Sequence, residues 1–298
     1  MANSMQRRGT KRQWLENKTI MGVFALMKLL PYQSRNRLMG ASLRGFMGNI
    51  IGYRKRIMNN LNLIYPNMVQ ERKTEIADQV LDNAGRTFIE NVYPAAFIVN
   101  NQEVELWGEG LEEVLKAHAI GRPIMFYSGH FGNHEAFRAA LFQRGIKVGG
   151  MVRRMANPYF DINYKNMLDI DGRSGPVFEA HSKGTLGFFK ALKTGSALVL
   201  LIDLAVSNGK FINFMGKPAC TSLTAANFAL KSNALFLPYF SMRNPDSESF
   251  RVEIGVPIDH SDPLTMTQEA TKSLEDRITK DPGNWFWIHR RWKHSPQS

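Results

Sequence analysis

Short apolar runs separated by helix-like segments constrain this chain more than any other feature of its sequence. The runs at 197–202 (Ala-Leu-Val-Leu-Leu-Ile) and 124–127 (Ile-Met-Phe-Tyr) have the length and continuous hydrophobicity of strands buried on both faces. Weaker patterns predict further strands at 147–153, 235–240 and 250–254. Helical patterns occupy 111–119, 136–143, 182–193, 222–231 and 264–279. This alternation predicts an α/β fold built on a central sheet.

Residues 1–105 have a different pattern and are predicted to be mostly helical. Spaced apolar residues at 35–50 and 70–90 indicate helices, and prolines at 31, 66 and 94 separate them. We therefore expect a basic helical arm or cap over 1–105 and an α/β domain over 106–298, together forming one structural unit.

The positive charge of the chain is concentrated in its N-terminal region. Residues 1–60 hold twelve of the 38 Lys and Arg residues but one of the 26 Asp and Glu residues, so this segment carries +11 of the net +12. The remaining 238 residues are nearly neutral. Such asymmetry predicts a polyanionic partner, and both a phospholipid surface and a nucleic acid satisfy it.

The N-terminal region contains one candidate membrane-binding helix. The segment 19–30 is shorter than the roughly 18 apolar residues needed to span a bilayer, and it contains Lys28. Its apolar residues recur at helical spacing, with Trp14 upstream: Ile20, Val23, Phe24, Met27 and Leu30. The pattern fits a helix lying in the membrane interface and equally a helix packed on the core.

The loop at 127–135, Tyr-Ser-Gly-His-Phe-Gly-Asn-His-Glu, carries the clearest chemistry. It follows a predicted buried strand, so His130 is expected at the carboxyl end of the strand, where α/β sheets bind ligands. A neutral imidazole can deprotonate a hydroxyl that attacks a thioester, and a carboxylate on its other ring nitrogen fixes the tautomer. Glu135 reaches His130 only if the chain turns between them, which Gly132 permits. His134 is an alternative base.

This run resembles the His-x4-Asp/Glu block of the bacterial lipid A biosynthesis (late) acyltransferases. Three further segments are similar to blocks of the same family, and they follow in the same order around it. They are the N-terminal Leu30-Pro31, Arg54-Lys55-Arg56 and 60–66 (Asn-Leu-Asn-Leu-Ile-Tyr-Pro), then 214–219 (Phe-Met-Gly-Lys-Pro-Ala) with Pro238 and Arg243 downstream, and 284–293 (Asn-Trp-Phe-Trp-Ile-His-Arg-Arg-Trp-Lys).

The resemblance implies a mixed central sheet with flanking helices, as in glycerol-phosphate acyltransferases, and a membrane-facing helical N-terminus. It implies that His130 is the general base and that Glu135 is its partner. The family's basic second block falls on Arg153, Arg154 and Asn157, where an arginine would hold a phosphate or polarise the thioester carbonyl. Further candidates for substrate binding are Arg173, Lys217 and Asp203, the last at the end of the strongest predicted strand.

The resemblance also implies the partners. The donor would be an acyl thioester on acyl carrier protein, with no other cofactor and no metal, and the acceptor a hydroxyl of a lipid A precursor or a related lipid. The enzyme would act at the cytoplasmic face of the bacterial inner membrane, bound peripherally or through its N-terminus. No nucleic-acid partner is expected.

Two departures from the family pattern leave the acceptor open. Position 134, often Trp in relatives, is His here, and Asp203 is followed by Leu204 where Gln is usual. A lysophospholipid, ornithine lipid or glycolipid acceptor is the closest alternative. Trp285, Trp287 and Trp292 among basic residues fit a lipid headgroup interface, a nucleic-acid-binding surface or a packed C-terminal tail. A membrane-bound scaffold with an inactive site is a further alternative.

Overall fold

The computed structural model describes residues 9–168, 174–244 and 248–295. Within them, α1 to α12 are Lys11–Met27, Tyr32–Ser42, Gly48–Ile50, Tyr53–Ile64, Gln70–Val92, Pro94–Asn100, Leu111–Ala119, His134–Phe142, Pro158–Leu168, Ser182–Lys193, Thr224–Ser232 and Pro263–Lys280. Strands β1 to β9 are Glu105–Trp107, Ile124–Ser128, Val148–Val152, Val177–Glu179, Ala197–Leu201, Lys210–Phe214, Lys217–Thr221, Leu235–Arg243 and Phe250–Ile254. A π-helical turn, Leu43–Met47, joins α2 to α3, and a 3-10 turn, Pro282–Asn284, follows α12.

Seven strands form a central mixed sheet in the order β1-β9-β8-β2-β5-β3-β4. Strands β8, β2, β5, β3 and β4 are parallel, whereas β9 runs antiparallel to β8 and pairs in parallel with β1. Apolar side chains cover the sheet on both faces, which explains why β2 is buried along its whole length. The predicted α/β class with a mixed sheet is therefore confirmed.

The register of the two central strands positions the candidate site. Strand β2 pairs in parallel with β5 so that Ser128 lies opposite Leu201. The pairing extends one residue further, because the N–H of Ile202 donates to the carbonyl of Ser128 (2.9 Å). Residues 130 and 203 therefore leave the same edge of the sheet side by side.

The N-terminal helices share the core of the sheet. Helix α5 buries Ile76, Val80 and Leu81 in the same apolar cluster as Met125 of β2 and Trp285 near the C-terminus. The helical cap and the α/β region are thus joined by continuous packing.

Helix α1 packs on the core through part of its surface and leaves other apolar residues exposed. Phe24 and Met27 pack against α5, whereas Val23, Leu26 and Leu29 are exposed. Among the described residues, no helix has both the length and the hydropathy to cross a bilayer.

The sequence patterns did not predict β1, β4 or the hairpin of β6 and β7. Strands β1 and β4 have three residues each, too short for a periodic signal. Strands β6 and β7 form a separate antiparallel hairpin, whose tight turn places both Met215 and Gly216 at positive φ (55° and 74°). A two-residue turn of this kind matches the twist of the strands, although Met rarely adopts that conformation.

A buried ion pair connects α5, β8 and the loop that carries His130. The guanidinium of Arg243 donates to both carboxylate oxygens of Glu90 (2.8 and 2.7 Å), and both side chains are almost completely buried. The amide of Asn133 donates to the same carboxylate (2.7 Å), and Asn36 also donates to it (3.2 Å). Asn133 is also the N-cap of α8, where its side-chain oxygen accepts the N–H of Glu135. Glu90 therefore stabilises both the core and the start of α8.

We predict that Glu90→Gln lowers the free energy of unfolding by about 3–5 kcal/mol, because it removes the buried carboxylate that binds both ends of the Arg243 guanidinium. Chemical denaturation monitored by circular dichroism measures this. Glu16→Gln is the matched control, since its ion pair with Arg12 is exposed and should contribute nothing measurable. Equal stabilities of the two variants would contradict a structural role for the Glu90 carboxylate.

Candidate active site

The loop between β2 and α8 is held in a defined shape by backbone contacts with the C-terminal segment. The N–H of Gly132 donates to the carbonyl of Asn284 (2.8 Å), and the N–H of Phe286 donates to the carbonyl of His130 (2.9 Å). Gly132 has φ 58°, and a Cβ there would lie 1.7 Å from the carbonyl oxygen of Ser241. Only glycine fits this turn, which fixes the position of His130.

His130 forms a hydrogen-bonded pair with Asp203. Its Nδ1 lies 2.9 Å from Oδ1 of Asp203, and its backbone N–H donates to Oδ2 (2.7 Å). Burial raises the pKa of Asp203, but the charge of His130 and its hydrogen bonds outweigh this, so the pKa lies well below that of an ordinary aspartate. Asp203 is thus an anion that orients the ring, and Nε2 is the ring nitrogen left for a substrate.

This arrangement corrects the contact expected between His130 and Glu135. The carboxylate of Glu135 instead lies 3.3 Å from the guanidinium of Arg138, one turn further along α8. The five-residue spacing places Glu135 in the first turn of the helix, whereas the parallel pairing of β2 and β5 brings Asp203 to the ring. Glu135 lines the same cavity as His130 but does not contact its Nδ1.

A cavity of about 560 Å³ lies in front of His130. Its apolar walls come mainly from β3, β5 and α11. They include Met151, Val152, Val199, Leu201, Ile202 and Ala225. Charged and polar groups, among them Glu135, Arg138, Arg153, Arg154 and Tyr164, also line it. The cavity therefore combines an apolar volume with cationic groups.

The predicted substrate-binding residues divide into two groups. Arg153 and Arg154 line the cavity; Arg154 pairs with Glu179 (2.8 Å), whereas the guanidinium of Arg153 has no hydrogen bond or ion pair within the described parts of the chain. Asn157 instead caps the start of α9 and donates to the carbonyl of Gln13 (2.7 Å). Both polar atoms of the Asn157 amide therefore make hydrogen bonds within the protein, and the structure does not support a substrate-binding role for this residue.

Of the remaining two candidates, Lys217 is not among the residues that line the cavity. Lys217 follows the turn of the β6–β7 hairpin, where it pairs with Phe214 in the register. Arg173 lies outside the described residues.

Two further histidines surround His130, and both are neutral. Burial, together with the charge of His130, lowers the pKa of His134 to about 3. The Nδ1 of His134 is 3.1 Å from the hydroxyl of Tyr239. Burial likewise lowers the pKa of His289 to about 4, and its ring lies edge-on to that of His130 with centroids 4.3 Å apart. His134 has no carboxylate partner among its described contacts, which makes His130 the better placed base.

Three side chains here could approach one cation. Ligand atoms of His130, Asp203 and His289 lie within 4.8 Å of one another. Oδ2 of Asp203 accepts the backbone N–H of His130 (2.7 Å) and the indole N–H of Trp285 (3.0 Å), and Oδ1 lies 2.9 Å from Nδ1 of His130. This is the geometry of a hydrogen-bonded carboxylate, and the absence of a metal from the site remains a prediction.

The C-terminal tryptophans are packed inside the protein. Trp285 and Trp287 are fully buried, and Trp292 is nearly so. Trp292 stacks on Phe214 of the β6–β7 hairpin (5.7 Å between ring centroids), and the guanidinium of the buried Arg291 lies 5.0 Å from the centroid of the same Phe214 ring. Of the three arrangements that the sequence allowed, the packed tail is the one found, and these tryptophans are inaccessible to bases or lipid headgroups.

Sequence reasoning missed Arg138, Trp285 and His289 as parts of the site. Arg138 follows Glu135 by three residues. This spacing places both side chains on one face of a helix, and it is visible in the sequence. The contacts of His289 and Trp285 with the site depend on the C-terminal segment folding back over the loop, which no local pattern encodes.

The fold and the site together define an α/β protein in which a carboxylate-paired histidine lies beside an apolar cavity. The family model of the bacterial lipid A biosynthesis acyltransferases matches residues 4–294. The lipid A biosynthesis lauroyltransferase of Escherichia coli K12 is 26% identical, over 96% of this chain and 94% of its own length. A lipid A biosynthesis acyltransferase of Haemophilus influenzae is 27% identical over 80% of this chain and 76% of its own. The lipid A biosynthesis palmitoleoyltransferase of E. coli K12 is 25% identical over 93% and 90%.

The chain therefore belongs to the bacterial lipid A biosynthesis acyltransferase family, as its sequence blocks predicted. It is an acyltransferase, and the family's acceptors are lipid A precursors.

We predict that the neutral state of the half-buried His134 makes the protein less stable as the pH falls from about 6.5 towards 4. In that range the unfolded chain binds a proton at this histidine and the folded chain does not, so unfolding becomes more favourable by up to about 1.4 kcal/mol per pH unit. Above about pH 6.5 the histidine is largely neutral in both the folded and the unfolded chain, so this destabilisation is absent. His134→Phe should reduce the slope of unfolding free energy against pH by about this amount.

Tyr239→Phe is the matched control for this measurement. It removes the same hydrogen bond but leaves the imidazole in place, so the slope should stay as in the wild type. A wild-type slope in His134→Phe would mean that His134 is protonated in the folded protein.

Proposed function

We propose that this protein transfers a fatty acyl chain from acyl carrier protein to a hydroxyl of a lipid A precursor, with His130 as general base. The observation that carries the proposal is the contact of His130 Nδ1 with the buried Asp203 carboxylate beside the apolar cavity. It fixes a neutral tautomer whose Nε2 can accept a proton.

The reaction needs no covalent intermediate on the protein. The hydroxyl oxygen attacks the thioester carbon while its proton passes to Nε2 of His130, and the carbonyl π electrons move to oxygen. When the tetrahedral intermediate collapses, the carbonyl re-forms, the C–S bond breaks, and the thiolate takes the proton from Nε2. Asp203 stabilises the imidazolium between the two steps.

The cavity supplies the other requirements of this reaction. Its apolar walls along β3 and β5 suit a hydrocarbon chain, whose burial is favourable by about 0.8 kcal/mol per methylene. Arg153 is the cavity arginine without a described counter-ion, and we assign it to an anionic group of the substrate or to the developing oxyanion. Glu135 and Arg138 face the same space, and we assign them to positioning the reacting groups.

The N-terminal helices provide a surface suited to a membrane and to an acidic carrier protein. Exposed apolar residues on α1 and after it, including Leu26 and Leu29, are accompanied by the exposed cations Lys18, Lys28 and Lys55. A surface of this composition binds anionic bilayers through apolar insertion and charge. We therefore place the enzyme peripherally on the cytoplasmic face of the inner membrane.

A different lipid acceptor is the second candidate, and one observation favours it. Both departures from the family pattern, His134 and Leu204, line the cavity. They alter the volume in which the acceptor would lie, so a lysophospholipid, ornithine lipid or glycolipid remains the alternative. A nucleic-acid-binding function would need the C-terminal tryptophans to be exposed, whereas Trp285, Trp287 and Trp292 are buried.

We predict that His130→Ala lowers kcat about 10²- to 10⁴-fold and that Asp203→Asn lowers it by up to about 10⁴-fold, because the amide no longer fixes the tautomer. Transfer of radiolabelled acyl groups from acyl carrier protein to a tetra-acylated precursor in detergent micelles measures this. The acid limb of the pH–rate profile should move to lower pH in Asp203→Asn, because the imidazolium loses its neighbouring charge.

Glu135→Gln is the matched variant for the second carboxylate. It should also reduce transfer, but with the acid limb unmoved, since Glu135 pairs with Arg138 and not with the base. Wild-type kcat in Asp203→Asn, or an acid limb that moves only in Glu135→Gln, would reverse the assignment of the two carboxylates. Transfer to a lysophospholipid but not to the lipid A precursor would establish the second candidate.

We predict that Leu26→Gln/Leu29→Gln weakens binding to phosphatidylglycerol-containing vesicles about tenfold or more, because two leucines no longer insert. Sedimentation with sucrose-loaded vesicles measures the bound fraction. The control is Leu115→Gln/Ile120→Gln on α7, where Ile120 is as exposed (79%) as Leu29 (80%) but lies outside the basic region. Equal losses in both pairs would show that α1 is not the membrane contact.

A further inference from the structure

The indole N–H of Trp285 donates to Oδ2 of Asp203 (3.0 Å). Trp285 is fully buried, and it does not line the cavity in which the substrate would lie. Its side chain therefore reaches the carboxylate from within the core, outside the lining of the cavity.

The two oxygens of Asp203 have different partners. Oδ2 accepts the Trp285 indole N–H and the backbone N–H of His130, whereas Oδ1 faces Nδ1 of His130. Two donors on one oxygen fix the rotation of the carboxylate, so that the other oxygen points at the imidazole. Without the indole, that rotation would depend on the backbone N–H alone.

Backbone pairing and ring contacts together fix the position of the Trp285 indole. Phe131 and Trp285 form an antiparallel bridge, and the N–H groups of Gly132 and Phe286 extend this pairing in both directions. The ring packs edge-on against Trp287 (4.7 Å) and Phe214 (5.6 Å). The C-terminal segment is thus paired with the loop of His130 and delivers a rigid donor to its carboxylate.

We propose that Trp285 is a positioning residue of the acyl transfer reaction, which acts on the base His130 through Asp203. This inference rests on the proposed general-base role of His130. It assigns to one C-terminal tryptophan a task that its neighbours do not share, since the indole N–H of Trp287 donates to the carbonyl of Pro282 (2.9 Å).

The test compares Trp285→Phe with Trp287→Phe. Both replace a fully buried indole of the same segment by a smaller ring, so both create a similar void, and only the first removes a donor from Asp203. Trp285→Phe should lower kcat about 10- to 100-fold, as expected for losing a hydrogen bond to a charged group, with KM unchanged. Trp287→Phe should keep kcat within about threefold of the wild type once both proteins are compared below their melting temperatures.

The pH dependence separates positioning from packing. A carboxylate that has lost a donor is more basic and stabilises the imidazolium more strongly. The acid limb of the pH–rate profile should therefore move to higher pH in Trp285→Phe, opposite to its movement in Asp203→Asn. In the Asp203→Asn background, Trp285→Phe should cost less than about twofold further, because coupled groups are not additive.

Failure of the positioning role of Trp285 can be distinguished from failure of the general-base role of His130. If the wild type transfers acyl groups and Trp285→Phe matches Trp287→Phe in kcat and pH profile, Trp285 only packs and the inference is wrong. Additive losses in the double variant would also overturn it. If His130→Ala retains wild-type kcat, the general-base proposal fails first.

Discussion

The buried carboxylate of Asp203 is the constraint on which the site depends. A carboxylate removed from water costs several kcal/mol unless its oxygens are fully hydrogen-bonded. Here the partners come from two parts of the chain far apart in sequence: the backbone and ring of His130 after β2, and the indole of Trp285 near the C-terminus. The anion is therefore stable only when the sheet and the C-terminal segment are both in place, which couples the assembly of the site to completion of the fold.

A second buried carboxylate contacts the same loop at a different residue. Glu90 of α5 neutralises Arg243 and also accepts the amide of Asn133, three residues after His130. The loop is thus attached to the helical cap through Asn133 and to the sheet edge through Asp203, with Gly132 fitted against β8 between them. Such attachment keeps the imidazole oriented before substrate arrives, so that little reorganisation is needed in the reaction.

The distribution of polarity in the cavity matches an amphipathic substrate. Apolar side chains of β3 and β5 form the walls, while Arg153 and the Glu135–Arg138 pair place charge close to the base. Neutral His134 and His289 flank His130 without competing for the carboxylate. An apolar volume and the carboxylate-paired histidine are therefore adjacent, while exposed apolar and basic residues of α1 lie on the outside of the cap.

The sequence by itself determined the α/β class, the position of His130 at the end of a buried strand and the membership of the family. These depend on local hydrophobic runs and on contiguous motifs, both of which are visible in one dimension. It also placed Asp203 at the end of β5, at the correct edge of the sheet. Only the tertiary structure decided which carboxylate contacts His130, because strand order and the register of Ser128 with Leu201 bring Asp203, not Glu135, to the ring. It likewise decided that the Asn157 amide donates to Gln13 and that Trp285 reaches the site, since both contacts join residues more than 80 positions apart.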